Sequence, residues 1–207
     1  MRLRIYFAKT EAMRYTSHLD LYQAWERTLR RARLPLAYSN GFKPHPKINI
    51  ASALPLGYTG DREVMDIWLE SEVPLQEIDF ALQKASPPGI KIRKLESIDA
   101  KAPTLQTRLV ASEYLITFLD IIPELDTRLA ILLTAKSLYR QRGEKSYDLR
   151  PLILDLKHLP DDGKGHQQVI TRLSAREGAT GRPDEVILAL GGAPQASLVQ
   201  RLHLIFN

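Results

Sequence analysis

Arg2-Leu3-Arg4-Ile5-Tyr6-Phe7-Ala8 alternates, with Leu3, Ile5 and Phe7 on one face and Arg4 and Tyr6 on the other. A period of two residues is that of a β-strand. The elements after this strand decide the fold. Ser17 opens a helix, and Asp20 three residues on has the spacing of a capping box, with Asp in the usual Glu place. Leu21, Trp25, Leu29 and Ala32 recur at helical intervals and form its buried stripe, and Pro35 is expected to end it. Lys47–Leu54 and Glu63–Glu70 read as two strands joined through a hairpin turn at 55–61. Leu75–Ala85 reads as a second helix, with Leu75, Ile78, Phe80, Ala81 and Leu82 on its inner side and Pro87-Pro88-Gly89 as its stop. Ile90–Ile98 closes the set as a strand.

That order is β-α-β-β-α-β, the ferredoxin-like arrangement, in which right-handed crossovers set an antiparallel four-stranded sheet under two helices. The second half repeats it less regularly. Tyr114–Asp120 is strand-like and 123–135 helical. Ser137–Gln141 and Tyr147–His158 read as strands or one long bent strand. Gln168–Ala175 is a strand, Pro183 sits in the first turn of a helix closed by Gly191-Gly192, and Arg201–Phe206 is a last strand. The predicted class is α+β: two tandem ferredoxin-like domains over 1–98 and 108–207, antiparallel sheets with helices on one face, and a hinge at 99–107 containing Pro103.

The 207 residues include no cysteine. Disulfides, a cysteine nucleophile, thiolate-bound zinc and an iron–sulfur cluster on this chain's own cysteines are thereby excluded. No run approaches the roughly 18 apolar residues of a membrane-crossing helix, and the first residues lack the apolar core of a signal peptide, so a cytoplasmic location is expected. The formal charge is +5, but it is unevenly placed. Residues 1–50 hold ten Lys and Arg against three Asp and Glu, an excess of seven, and the rest of the chain sums to −2. A concentrated positive field favours a polyanion, of which nucleic acid is the commonest inside cells.

The densest group of candidate side chains lies between Lys9 and Gly57. His18 falls in the first turn of the first helix, where free N–H groups attract anions, and Arg14 lies just before it. Arg27, Arg30 and Arg31 face away from the Trp25 stripe, and planar guanidinium forks suit phosphate oxygens. In the loop around Gly41, Tyr38 and Phe42 could stack on bases while Lys43 and Lys47 meet phosphates, with His45 beside them and Pro44 and Pro46 stiffening it. The expected RNA- or phosphate-binding set is therefore Arg14, His18, Arg27, Arg30, Arg31, Tyr38, Phe42, Lys43, His45 and Lys47. Each has a purely structural alternative: cap, solvated helix face, or a loop with Phe42 tucked into the core. In the second half, Asp148 and Arg150 lie two apart, on one face if the strand runs through them, as an ion pair or a substrate contact. There is no phosphate loop, no Gly-rich dinucleotide fingerprint and no HExxH. The five histidines are scattered, and no metal site is expected.

Tyr15-Thr16-Ser17-His18-Leu19-Asp20, Leu29-Arg30-Arg31-Ala32, the run Leu34–Pro46 and Ala53-Leu54-Pro55-Leu56-Gly57 resemble the radical-SAM-linked proteins, a bacterial family catalogued as a domain of unknown function. Tyr147-Asp148-Leu149-Arg150-Pro151 and Arg182-Pro183-Asp184-Glu185-Val186 are similar to it as well, so the resemblance spans most of the chain; Lys43 stands where the family usually has Asn. It implies a neighbouring or fused radical SAM protein with a cobalamin-binding-type region. That partner would carry S-adenosylmethionine and the iron–sulfur cluster, and this chain would bind no cofactor itself. Three roles are open: an accessory that binds tRNA or rRNA and presents it for modification, a module that docks the radical SAM partner without touching RNA, or a metal-independent endoribonuclease. The last draws on fold analogy to CRISPR repeat-processing enzymes and would use His18, with Lys9 or Lys43 stabilising charge at the phosphate.

Overall fold

A computed structural model describes residues 1–143 and 145–207. The fold is mixed α+β with antiparallel pairing between the strands, and the chain divides into two compact units, Met1–Arg108 and Leu109–Asn207. Among the described residues no helix is long and apolar enough to cross a membrane.

The first unit runs β1 (Arg2–Lys9), α1 (His18–Arg31), β2 (Ile48–Ile50), β3 (Thr59–Trp68), α2 (Leu75–Ala85), β4 (Ile90–Ile98) and the short α3 (Leu105–Arg108). Its strands lie side by side as β2-β3-β1-β4, each antiparallel to its neighbours. Ile5 is opposite Met65 on one side and Leu95 on the other, so β1 is interior to the sheet. Leu3, Ile5 and Phe7 are fully buried and pack with Trp25 and Leu29 of α1 and Ile78 and Leu82 of α2. The Phe7 and Trp25 rings meet edge-on, their centroids 4.8 Å apart. Each such side chain, once buried, stabilises the unit by about 1.5–3 kcal/mol.

The other face of β1 is charged and nonetheless buried. Arg2 and Arg4 both close on Asp66 of β3, with nitrogen–oxygen distances of 2.7–3.0 Å from each guanidinium. Asp66 is fully shielded from solvent. Arg2 also stacks on Trp68, 5.0 Å from the ring centroid, and donates to the carbonyls of Ala102 and Pro103. The segment 99–107, expected as a hinge, is therefore fastened within the first unit. Leu105 is fully buried, and the Gln106 amide donates to the Ile50 carbonyl at 2.8 Å.

Several boundaries differ from the sequence reading, each for a local reason. The Ser17 hydroxyl caps α1 as expected, accepting from the Asp20 N–H at 3.2 Å, but it donates in turn to the Asp20 carboxylate at 2.6 Å. The helix stops at Arg31, ahead of Pro35, because Arg33 takes a left-handed conformation at φ +54°; for a residue with a Cβ this costs about 1–2 kcal/mol. The strand expected over 47–54 shrinks to Ile48–Ile50, where a bend at Ala51–Ser52 ends the ladder, while β3 starts early, at Thr59. Phe80 is exposed, not inward-facing; of the residues expected on that side of α2, Ile78 and Leu82 are the buried ones. A helix advances 100° per residue, so Phe80 lies about 200° round from Ile78.

The second unit runs β5 (Leu109–Phe118), α4 (Leu125–Thr134), β6 (Tyr139–Arg142), β7 (Lys145–Asp148), β8 (Ile153–Leu159), β9 (Gln168–Arg176), β10 (Ala179–Thr180), α5 (Pro183–Ala189) and β11 (Ser197–Phe206). Its sheet is ordered β8-β9-β5-β11, and β10 pairs with the far end of β9. Strands β6 and β7 form a separate hairpin. A 3₁₀ turn at Arg150–Leu152 separates β7 from β8, so the long bent strand is two strands. Ile116, Val169, Leu173, Val186 and Ile187 are fully buried.

Candidate nucleic-acid interface

Of the ten basic residues in the first fifty, four are internal. Arg2 and Arg4 hold Asp66. Lys9 is buried, and its ammonium donates to the carbonyls of Arg14 and Tyr58 at 3.2 and 3.1 Å. Arg14 is buried as well. Its guanidinium donates to both Glu11 carboxylate oxygens at 2.7 and 2.5 Å and to the Gly57 carbonyl at 3.1 Å. Those bonds hold the Glu11 carboxyl below its usual range and raise Arg14 above its own. Arg14 thus ties the turn after β1 to the connector before β3, and is a strut where the sequence suggested a phosphate ligand. Lys9, read as one of two lysines that could stabilise charge at the phosphate beside His18, is similarly enclosed and donates to two backbone carbonyls. His18 itself is the first residue of α1 and is half-buried.

The surface cations come from α1 and the loop after it. Arg27 is exposed and makes no ion pair among the described residues. Arg30, itself exposed, reaches back one turn to the half-buried Glu26 at 2.7 Å, a surface pair that water partly screens. Arg31 points to the end of α2 and donates to the Ala85 carbonyl at 2.9 Å. The three arginines therefore do not form one cluster; Arg31 leaves the other two.

The loop after α1 is a built feature. Its stem is closed by an isolated bridge between Tyr38 and Pro46, by the Lys47 N–H on the Ala37 carbonyl at 2.8 Å, and by the Ser39 N–H on the His45 carbonyl at 2.9 Å. The Ser39 hydroxyl accepts from the His45 N–H at 3.1 Å. Gly41, at φ +133°, supplies the turn at the tip, in a region that side chains with a Cβ rarely enter. Tyr38, Lys43, His45 and Lys47 are exposed, and Phe42 is completely so. Phe42 is not part of the core. The loop stem rests against α1, where the Tyr22 hydroxyl lies 3.4 Å from the Pro46 carbonyl. Tyr22 is one turn beyond His18 and one turn before Glu26, so the loop borders the same helix that carries Arg27 and Arg30.

Asp148 and Arg150 do not share a strand face, because β7 ends at Asp148 and the chain turns. Asp148 accepts from the N–H groups of Leu138 and Arg150 at 2.7 and 3.0 Å. Arg150 donates to the carbonyls of Leu133 and Ile153 at 2.7 and 3.0 Å. Both fasten the hairpin to its neighbours, and the link between them is the Arg150 backbone N–H on the Asp148 carboxylate, not an ion pair of their side chains. Among the described residues no group of His, Asp and Glu is placed to hold a metal ion.

A second surface escaped the sequence reading. Where α1 and α2 end side by side, a groove of about 840 Å³ is lined by Arg31, Arg33, Phe80, Lys84, Pro87 and Pro88 among others. The available signal was the 100° step of α2, which turns Phe80 outward. The left-handed turn at Arg33 had no sequence cue, since glycine or asparagine is its usual marker.

In fold, the chain is similar to one in the crystal structure of a Cbf5-Nop10-Gar1 complex, with a TM-score of 0.52 and 12% identity, over 98% of this chain and 48% of that one. A chain of the archaeal box H/ACA sRNP Nop10-Cbf5 complex is more distant, at TM-score 0.47 and 14% identity, over 98% and 47%. This chain spans about half the length of those it matches, and at such identities the likeness is one of fold alone. No curated protein matches the sequence. Residues 2–183 match the model of a family described as an uncharacterized protein conserved in bacteria (DUF2344), and the chain belongs to that family.

Proposed function

We propose that this chain binds RNA through the α1 surface and the 38–47 loop, and presents it to a radical SAM protein for modification. The observation that carries this reading is Phe42. A fully exposed aromatic ring stands at the tip of a loop that is hydrogen-bonded at its stem, next to Lys43 and near Lys47, neither of them in an ion pair among the described residues. A ring for stacking and cations for phosphates on a pre-ordered loop is what single-stranded RNA needs from a protein. We read both units as ferredoxin-like, 1–98 and 108–207. The strand orders β2-β3-β1-β4 and β8-β9-β5-β11 support that reading, with β6, β7 and β10 as additions. The partner would supply the iron–sulfur cluster and S-adenosylmethionine.

The test is a filter-binding titration against tRNA, rRNA and duplex DNA at two salt concentrations. RNA-preferring, salt-sensitive binding is expected, weakened at least tenfold in the double variant Lys43→Glu, Lys47→Glu. Equal binding by variant and parent would sink the assignment to this loop. A second reading has its own support: Tyr15 and Leu19, beside the start of α1, are also largely exposed and apolar. They suit a protein partner docked without RNA, and such a complex would survive ~0.5 M salt on a gel-filtration column, where charge attraction is screened within a few Å.

A further inference from the structure

The groove between the ends of α1 and α2 is separate from the 38–47 loop, and its chemistry is one-sided. Arg31, Arg33 and Lys84 supply three positive charges, and none of its described lining residues is acidic. Phe80 is 72% exposed and contributes an uncovered ring to the same wall, while Pro87 and Pro88 give it a rigid apolar edge. Cations in the last turn of a helix ordinarily complement its dipole. At the end of α2, Lys84 lies in the last turn and Arg31 donates to the Ala85 carbonyl, so the carbonyl end is met by a hydrogen-bonded guanidinium as well as by the lysine. Arg33 and Lys84 have no ion pair among the described residues, and Arg33 stands in a left-handed turn where glycine would be free of strain.

We propose that this groove takes a single-stranded segment of RNA, one base stacked on Phe80 and the flanking phosphates on Arg33 and Lys84. The proposal rests on the RNA reading above and adds to it a second contact point and a preference for unpaired strand. A duplex buries its base faces in its own stack and cannot offer one to Phe80, whereas every unpaired base has a face to offer.

The experiment compares binding of a twelve-nucleotide oligouridylate and an RNA duplex of the same length to the full chain at low salt. Three variants accompany the parent: Phe80→Ala, the pair Arg33→Asn with Lys84→Gln, and the loop pair Lys43→Glu with Lys47→Glu. Asparagine tolerates the left-handed turn, and all these positions are on the surface, so unchanged circular dichroism and melting are expected. Phe80→Ala should weaken the oligouridylate about five- to tenfold and leave the duplex unaffected. The Arg33/Lys84 pair should flatten the salt dependence of single-strand binding by about 1.4 in log–log slope, from two lost phosphate contacts. If both groove variants bind like the parent while the loop pair is impaired, the groove is not a site and the RNA reading stands. If the parent binds neither oligouridylate nor tRNA, both fall together.

Discussion

Asp66 is the side chain that holds Arg2 and Arg4 in place on the charged side of the first sheet. It has no solvent contact and accepts from two guanidinium groups. Removing one member of a buried ionic group leaves the other charges uncompensated, which costs about 3–5 kcal/mol. Asp66→Ala should therefore lower the stability seen in urea unfolding by about 3 kcal/mol or more; a loss under about 1 kcal/mol would mean that water fills the vacated place. At this scale the sequence was least legible. Arg2, Arg4 and Arg14 look like Arg27 as letters in a chain, yet three are buried and one is not. The difference lies in residues distant in sequence: Asp66 for the first two, and the Gly57 carbonyl for Arg14 together with nearby Glu11.

At the scale of elements, the β8–β9 connection is held by one carboxylate. Asp162 accepts from the N–H groups of Lys164 and His166 at 2.8 and 2.9 Å, and its second oxygen meets the His166 imidazole at 2.9 Å. These bonds, the His166 N–H first, lower its pKa to about 2. A carboxyl lowered on folding adds stability that is complete above its unfolded value of about 3.9 and is lost as pH falls toward 2. Carbon-detected NMR titration should place Asp162 near 2 in the parent. In His166→Ala it should rise only part of the way, since the backbone N–H remains; a return to about 3.9 would show the imidazole to be the main cause. Elements were otherwise the most legible scale. The period-two run of β1, the stripe Leu21–Trp25–Leu29 and the stops at Pro87-Pro88-Gly89 all survive, because each is set by neighbours within a few residues. Beside the shifted boundaries of α1, β2 and β3, two readings fail: Phe80, misplaced by counting residues instead of angle, and 99–107, whose docking depends on Arg2 a hundred residues earlier.

For the whole molecule, the charge asymmetry that drew attention to the first fifty residues is smaller at the surface than in the sequence. Arg2, Arg4, Lys9 and Arg14 are enclosed, which leaves Arg27, Arg30, Arg31, Arg33, Lys43 and Lys47 to meet a polyanion. Six phosphate contacts to single-stranded RNA would give a log–log salt slope of about −4, where all ten would give about −7. A measured slope near −7 would mean that cations outside this stretch take part. The candidate loop was legible because its cues are local, Gly41 and two prolines around aromatic and basic residues. The groove was not, since it exists only once α1 and α2 lie side by side.

The interior place of β1 has a consequence for how the chain is made. Its Arg2 pairs with Trp68 on one side and with Ile98 on the other. A ribosome adding roughly 5–20 residues per second delivers Ile98 about 5–20 s after Arg2. Until β3 is made the nascent Leu3-Arg4-Ile5-Tyr6-Phe7 segment is a ribbon with one apolar face and two open edges, and until β4 follows one edge stays open, the kind of segment that pairs with the wrong partner or is held by a chaperone. Within its own unit β1 is made before both strands that flank it, so it must be sheltered until they arrive, whatever the stability of the finished sheet.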